Sequence, residues 1–196
     1  MRFSTKEIVM AGMFAAFAAA VAVVFRLVQP ALVPFSLLPM VVLLAGGLLP
    51  RRVAAASMAV YMLLGLVGLP VFASPPFGGP VYVLKPSFGF ILGFAFAAYL
   101  VAWIIEKLGR SGAACLVASV AGILAIYAVG LPYLYLILKF YLGQAVDVYK
   151  VLKIGFWPFI GLDLVKAVVA SFLISEVSKR VTTPEPQIDT DVLDAD

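Results

Sequence analysis

Histidine is absent from this 196-residue chain, and cysteine occurs once, as Cys115 inside an apolar run. A Cys/His metal site needs several such side chains and a disulfide needs two cysteines, so neither can form within one chain. The sequence also lacks a glycine-rich loop that ends in Lys-Ser or Lys-Thr, so we expect no ATP hydrolysis by the chain itself. Paired carboxylates for acid–base catalysis are missing as well, and we therefore expect no enzyme.

Charged side chains are scarce: they make up 12% of the residues, whereas 64% are hydrophobic, and the mean hydropathy is +1.13. Soluble domains are roughly half apolar and about a quarter charged. This composition indicates an integral membrane protein surrounded by lipid. Because a helix of about 20 apolar residues crosses the hydrocarbon core, the chain has room for about six such helices. We expect an all-α bundle that forms one domain over residues 1–181.

Gly- and Pro-rich turns divide this domain into six predicted transmembrane helices. The predicted ranges are 5–28, 37–49, 53–68, 87–108, 113–141, with a kink near Gly130 and Pro132, and 158–179. The first is expected to be a retained membrane helix and not a signal peptide. Residues 29–39 are expected to cross the membrane surface, and residues 143–157 to form a polar loop. Residues 182–196 contain five acidic side chains and predict a disordered acidic tail.

Lysine and arginine positions predict the orientation of these helices. With six spans, one side of the membrane receives Arg2, Lys6, Arg51, Arg52, Lys107, Arg110, Lys179 and Arg180. The other side receives Arg26, Lys85, Lys150 and Lys153. Cytoplasmic loops are the richer in Lys and Arg, so we predict that both termini are cytoplasmic. The remaining loops would then converge on one outward-facing pocket.

A loop rich in proline and glycine joins the third and fourth predicted helices. Residues 65–94 read GLVGLPVFASPPFGGPVYVLKPSFGFILGF. Proline fixes φ and removes donors, so such a loop holds its shape without a ladder of hydrogen bonds. Its aromatic side chains and Lys85 suit a lid over a small molecule, because binding groups gather on loops held by a rigid scaffold. The alternative is a simple connector.

Asp163 and Lys166, in FIGLDLVKA, are three residues apart and therefore share one face of the last predicted helix. Ionisable groups within a membrane segment are costly and usually face a protein interior, which makes this pair a candidate binding site. Lys166 could neutralise a ligand carboxylate, while Asp163 could orient Lys166 or accept from a ligand N–H. The alternatives are a structural ion pair or a lysine that reaches the membrane surface.

Alanines recur at three- and four-residue spacing in the first helix, including Ala11 and Ala15. Small residues in this pattern let another helix approach closely. The stripe could bind a partner protein, or it could pack inside the same bundle.

Aromatic side chains are concentrated towards the predicted outer face. They include Phe35, Phe72, Phe77, Tyr82, Phe88, Phe90, Tyr149, Phe156 and Trp157. Most would form an interfacial belt, and a few could line a pocket.

These motifs together resemble those of BioY, the biotin-specific substrate-capture (S) component of energy-coupling factor (ECF) vitamin transporters. The matching runs are Val33–Leu37, LLAGGLLPRRVAAASMAVYMLLGLVGLPVFA, the Gly78-Gly79 pair, PSFGFILGF and the Asp163 and Lys166 pair. The resemblance covers about residues 3–179, and LLGLVGLPVFA with PSFGFILGF are its most specific parts.

The resemblance implies a six-helix capture protein in a prokaryotic plasma membrane, with no cofactor and no nucleic-acid partner. It would bind a vitamin carboxylate and work with a transmembrane coupling protein and two ATP-binding subunits. Ala11 and Ala15 match the surface that docks on the coupling protein. The implied substrate-binding residues are Asp163, Lys166, Lys85, Ser87, Phe88, Phe35, Phe72, Gly78, Gly79, Tyr82 and Trp157.

Several positions depart from the family pattern. Leu38 stands where a polar amide is common, Ser74 to Phe77 replace Gly- and Asn-rich residues, and Pro86 to Phe90 replace PTGGY. Groups suited to the ureido ring of biotin have thus become apolar, and each unpaired polar ligand group would cost about 1–3 kcal/mol. Lipoate, a carboxylate with an apolar head, is therefore the alternative ligand.

Overall fold

The computed structural model describes residues 3–28 and 36–181, and this part of the chain is helical without strands. The α-helices are α1 (Thr5–Val28), α2 (Leu38–Leu48), α3 (Arg51–Val67), α4 (Phe88–Leu108), α5 (Gly112–Leu136), α6 (Val148–Gly155) and α7 (Trp157–Val181). A 3₁₀ turn, Pro80–Leu84, precedes α4, and a π-helical turn, Ile137–Tyr141, follows α5. Residues 29–35 of the surface crossing predicted at 29–39, including Phe35, lie outside the described residues, as does the predicted acidic tail at 182–196.

Helices occur at all six predicted positions, and α6 is an additional short helix inside the predicted polar loop. Its first turn is capped by Asp147, whose carboxylate accepts a hydrogen bond from the Lys150 amide at 2.8 Å. Val151 is buried against the bundle, whereas Lys150 and Lys153 are exposed. The sequence does not predict α6, because eight residues with two lysines are too short and too polar for a membrane helix.

Within residues 3–28 and 36–181, four helices are long and apolar enough to cross a membrane: α1, α4, α5 with its π-helical turn, and α7. With 11 and 17 residues, α2 and α3 extend over roughly 16 and 26 Å, less than the ~30 Å of a hydrocarbon core. The structure therefore confirms an all-helical protein with several candidate membrane spans.

Contacts between helix ends define the two ends of the bundle. At one end, Arg51 at the start of α3 contacts Glu106 near the end of α4, and Arg110 donates to Ser178 on α7. At the other end, the 68–87 loop joins α3 to α4, and Tyr133 of α5 donates to the carbonyl oxygen of Val83. We call this second end the loop end.

Small residues allow α2 and α5 to approach α4 closely. An added Cβ at Gly46 of α2 would lie 2.7 Å from the Ala98 carbonyl oxygen, and one at Gly93 of α4 would lie 3.0 Å from the Ile126 carbonyl oxygen. Helices that are apolar on every side gain little from hydrophobic contrast in lipid, so close backbone approach of this kind supplies their packing.

Ala11 and Ala15 lie on the face of α1 that is turned into the bundle, where α1 packs mainly on α3. Ala15 is 1% exposed. In this structure the two alanines pack within the chain, and their role in binding a partner protein stays a prediction. Gly12 and Ala16, on the opposite face of α1, are exposed.

Replacing Gly46 by Ala should lower the free energy of unfolding in detergent by about 1–3 kcal/mol, because the new methyl group meets a backbone oxygen that cannot move aside. Gly12→Ala is the matched control, since its Cβ would meet nothing within 4 Å. Denaturant unfolding, followed by circular dichroism, measures the free energy of unfolding of both variants. Equal stability of the two variants would contradict the close α2–α4 contact.

Candidate functional site

A cavity of about 410 Å³ lies at the loop end of the bundle, between α2, α4, α5, α7 and the 68–87 loop. Cavities of this size, with apolar walls and a few polar groups, are typical binding sites for small molecules. Most of the wall is apolar and includes Leu38, Phe90, Ile91, Phe94, Ile126, Leu134, Phe159 and Leu162. Its polar side chains are Ser36, Tyr61, Ser74, Tyr82, Ser87, Tyr127, Asp163 and Lys166.

Asp163 and Lys166 form an ion pair on the α7 wall of this cavity. Lys166 Nζ lies 2.6 Å from Asp163 Oδ1, and the two residues are 7% and 6% exposed respectively. The three-residue spacing on one helix face brings the two side chains together, as the sequence predicts. Because each charge neutralises the other, this wall carries no net charge from the pair.

Two further hydrogen bonds extend the pair across the cavity wall. The Tyr127 hydroxyl of α5 donates to Asp163 Oδ2 at 2.5 Å, and Lys166 Nζ donates to the Ser36 carbonyl oxygen at 2.7 Å. Hydrogen bonds to charged groups are stronger than neutral ones, and a buried charge needs such partners. The result is a connected polar group, made of Tyr127, Asp163, Lys166 and the Ser36 carbonyl, which we call the polar cluster.

The loop supplies the opposite wall, where Tyr82, Ser74 and Ser87 line the cavity. The hydroxyls of Ser74 and Tyr82 are 2.8 Å apart. Three helices hold this loop in place. Arg26 of α1 donates to the Pro70 carbonyl at 3.0 Å, Tyr61 of α3 donates to the Val71 carbonyl at 3.1 Å, and Tyr133 of α5 donates to the Val83 carbonyl.

Phe72, Gly78 and Gly79 support the loop from behind and do not line the cavity. Phe72 is fully buried, with its ring centre 4.2 Å from that of Tyr82. The Gly79 amide donates to the Gly65 carbonyl at 2.7 Å, and a Cβ on Gly78 would lie 2.3 Å from the Leu69 carbonyl oxygen. These residues fix the position of Tyr82.

The other predicted site residues lie off the cavity wall. Phe88 is buried between the rings of Tyr82 and Tyr133, at 6.4 and 5.9 Å from their centres. Lys85 and Trp157 are exposed, and Trp157 contacts the Phe156 ring. The structure therefore brings together Asp163, Lys166, Tyr82 and Ser87, while Phe35 lies outside the described residues.

Tyr127 and the Ser36 carbonyl belong to the polar cluster but were not predicted as site residues. Tyr127 precedes Asp163 by 36 residues, and Ser36 precedes Lys166 by 130. A backbone carbonyl leaves no signal in a sequence. The available clue was the hydroxyl of a tyrosine in the middle of a mostly apolar helix, because a buried phenol usually has a hydrogen-bond partner.

The arrangement of helices around this cavity has a known counterpart. The structure is similar to the crystal structure of the S-component for biotin from an ECF-type ABC transporter, with a TM-score of 0.70 and 23% identity, over 91% of this chain and 95% of that one. The fold is thus that of a transporter S-component, a membrane-embedded helical bundle with a small-molecule cavity.

Sequence comparisons identify the family within this class. A "Probable biotin transporter BioY" of Lysinibacillus sphaericus is 39% identical over 177 residues, covering 90% of this chain and 88% of that protein. The "Biotin transporter BioY" of Thermotoga maritima is 36% identical, covering 75% and 82%. Residues 1–183 match the BioY family. The chain belongs to the BioY family, as its motifs predicted.

Replacing Lys166 by Met should lower the free energy of unfolding by about 3 kcal/mol, because Asp163 would remain as a buried charge without its counter-ion. The double variant Asp163→Leu with Lys166→Met removes both charges and should recover part of this loss. Chemical denaturation in detergent measures the free energy of unfolding of the unchanged protein, the single variant and the double variant.

Lys179→Met is the matched control for the single variant. Lys179 pairs with Glu176 at 2.5 Å and at the same three-residue spacing on α7, but both side chains are exposed. Loss of this pair should leave the melting temperature nearly unchanged, since exposed ion pairs contribute little to stability. Similar destabilisation by the two single lysine variants would show that burial does not strengthen the cavity pair.

Proposed function

We propose that this protein is the S component of an ECF-type vitamin importer, which captures biotin at the loop end of the bundle. Its relatives are named as biotin transporters, and its fold is that of an S-component. The cavity and its polar cluster support a binding role without chemistry, so the protein would be a transporter subunit and not an enzyme.

The observation that carries this proposal is the neutral, hydrogen-bonded pair of Asp163 and Lys166. The ureido ring of biotin is itself neutral and presents two N–H donors beside a carbonyl acceptor. Asp163 can accept from these N–H groups, because each of its carboxylate oxygens can take a further hydrogen bond. We therefore assign the ring to the polar cluster, in place of the expected contact between Lys166 and the ligand carboxylate.

This assignment places the carboxylate of biotin at the loop wall. Ser74 and Ser87 line that wall and can donate hydroxyl hydrogen bonds to an anion. A carboxylate beside Asp163 would meet a like charge, which is unfavourable because Asp163 is buried and little water screens it. The two ends of the ligand thus contact different walls.

Some of the apolar residues that depart from the family pattern do not line the cavity, and these do not argue against biotin. Among these departures, Leu38, Pro86 and Phe90 line the cavity, whereas Phe77 and Phe88 do not. Phe77 instead lies under the Arg26 guanidinium, 4.3 Å from the ring centre. Substitution at Phe77 and Phe88 therefore removes no group from the described wall.

Competition against labelled biotin should show that lipoate binds at least about a hundredfold more weakly, because a site that hydrogen-bonds a polar head rejects an analogue without one. Dethiobiotin keeps the ureido ring and should compete well. Biotin methyl ester loses the carboxylate charge but keeps the ring, and it should lose less affinity than lipoate does.

Lipoate binding as tight as that of biotin would instead identify an apolar-headed carboxylate as the ligand. If biotin methyl ester fails to bind while lipoate still binds, Lys166 would again be assigned as the counter-ion of the ligand carboxylate. A native mass spectrum of the purified protein adds an independent measurement, since tight-binding capture proteins often retain their ligand. Absence of any vitamin binding would favour a purely structural bundle.

The proposed orientation has six crossings with both termini in the cytoplasm. It is supported by the cations at the end of the bundle away from the cavity, which are Lys6, Arg51, Arg52, Lys107, Arg110, Lys179 and Arg180. Cytoplasmic segments carry this excess. The cavity then opens outwards, and transport would require a coupling protein and two ATP-binding subunits in the same membrane.

Proteoliposomes test directly whether this chain only binds biotin and needs the partner subunits for transport. The chain alone should bind external biotin but should accumulate none, whereas addition of the coupling protein and ATP-binding subunits with ATP should start uptake. Omission of ATP is the control. Accumulation by the chain alone would show a solitary transporter, which needs no partner subunits.

A further inference from the structure

Tyr127 of α5 contacts the Asp163 carboxylate at the oxygen that Lys166 does not use. The Tyr127 hydroxyl lies 2.5 Å from Asp163 Oδ2, while Lys166 Nζ lies 2.6 Å from Oδ1. Tyr127 itself is buried and lines the cavity. Each oxygen of Asp163 therefore receives one hydrogen bond from the protein.

Two aromatic rings hold the Tyr127 ring in place. Phe90 of α4 lies 5.9 Å from it at an interplanar angle of 88°, and Phe156, between α6 and α7, lies 5.0 Å away at 75°. Edge-to-face contacts of this kind favour one ring orientation. With its ring fixed on two sides, Tyr127 directs its hydroxyl at Asp163.

Hydrogen bonds on both oxygens restrict rotation of the Asp163 carboxylate. Each carboxylate oxygen has two lone-pair sites, so each keeps one for a ligand after the protein bond is made. Because the Tyr127 proton is donated to Asp163, the phenol oxygen can only accept towards the cavity. Asp163 and Tyr127 together thus present fixed acceptors and no donor.

We propose that Tyr127 is a positioning residue that gives the site its specificity for a head group with paired N–H donors. It acts through Asp163, whose two remaining acceptor sites it holds in one plane. The inference rests on the proposed function, since it requires the ureido ring to lie at the polar cluster. Groups held by such supporting contacts bind with less loss of conformational freedom.

A thermodynamic cycle between protein and ligand tests the role of Tyr127. Tyr127→Phe removes the hydroxyl and keeps the ring between Phe90 and Phe156. Binding of biotin and of biotin methylated on a ureido nitrogen is measured for the unchanged protein and the variant. We expect the variant to lose about tenfold in affinity for biotin, the size of one hydrogen bond to a charged group, and less than about twofold for the methylated analogue.

Equal losses for the two ligands would overturn the proposal, because they would show a structural role that does not depend on the ligand's N–H groups. An unchanged affinity for biotin would overturn it as well. Tyr135→Phe is the matched control, since the Tyr135 hydroxyl accepts from Lys139 at 2.6 Å and does not line this cavity. It should leave both affinities unchanged.

The melting temperature without ligand is recorded for both variants, so that a loss of fold is recognised separately from a loss of positioning. Failure of the proposed function gives a different result from failure of the Tyr127 inference. In the first case the unchanged protein does not bind biotin at all, which is established before any variant is compared. In the second case it binds biotin, and the two ligands respond alike to Tyr127→Phe.

Discussion

The buried ion pair between Asp163 and Lys166 is the contact on which the site depends. A charge within a membrane protein is costly unless another charge and further hydrogen bonds compensate it, and here the compensation comes from α5 and from the residues before α2. The pair therefore links helices that are distant in sequence. Because its net charge is zero, it also determines which ligands suit the cavity: a neutral ring with donors and an acceptor complements it better than an anion does.

The two walls of the cavity are built in different ways. The inner wall belongs to α4, α5 and α7. Gly93 lets α4 approach α5 closely, and the polar groups of α5 and α7 are fixed by hydrogen bonds to one another. The other wall is a loop that has no regular secondary structure beyond one 3₁₀ turn. It is positioned by the side chains of Arg26, Tyr61 and Tyr133, which bind its carbonyl oxygens. A rigid wall thus faces one that depends on a few side-chain contacts.

These different constructions suit the two tasks of a capture protein. Recognition of a head group needs polar atoms in constant positions, which packed helices provide. The loop lies at the end where a ligand would enter, and side chains of α1, α3 and α5 hold it there. The aromatic stack of Phe72, Tyr82 and Phe88 joins the two parts, since it lies beneath the loop and reaches the start of α4.

The sequence by itself determined the class of protein, the positions of the main helices, the family and the Asp163 and Lys166 pair. These features depend on composition, on apolar length, on motifs or on contacts within one turn of a helix, and all of them are local. Tertiary structure decided the rest. Helix α1 is mostly apolar on every side, so its pattern could not show that Ala11 and Ala15 face the bundle. Tyr127 and the Ser36 carbonyl reach the pair only after helices far apart in sequence have packed, because a hydrogen bond depends on distances in space that a linear pattern does not contain.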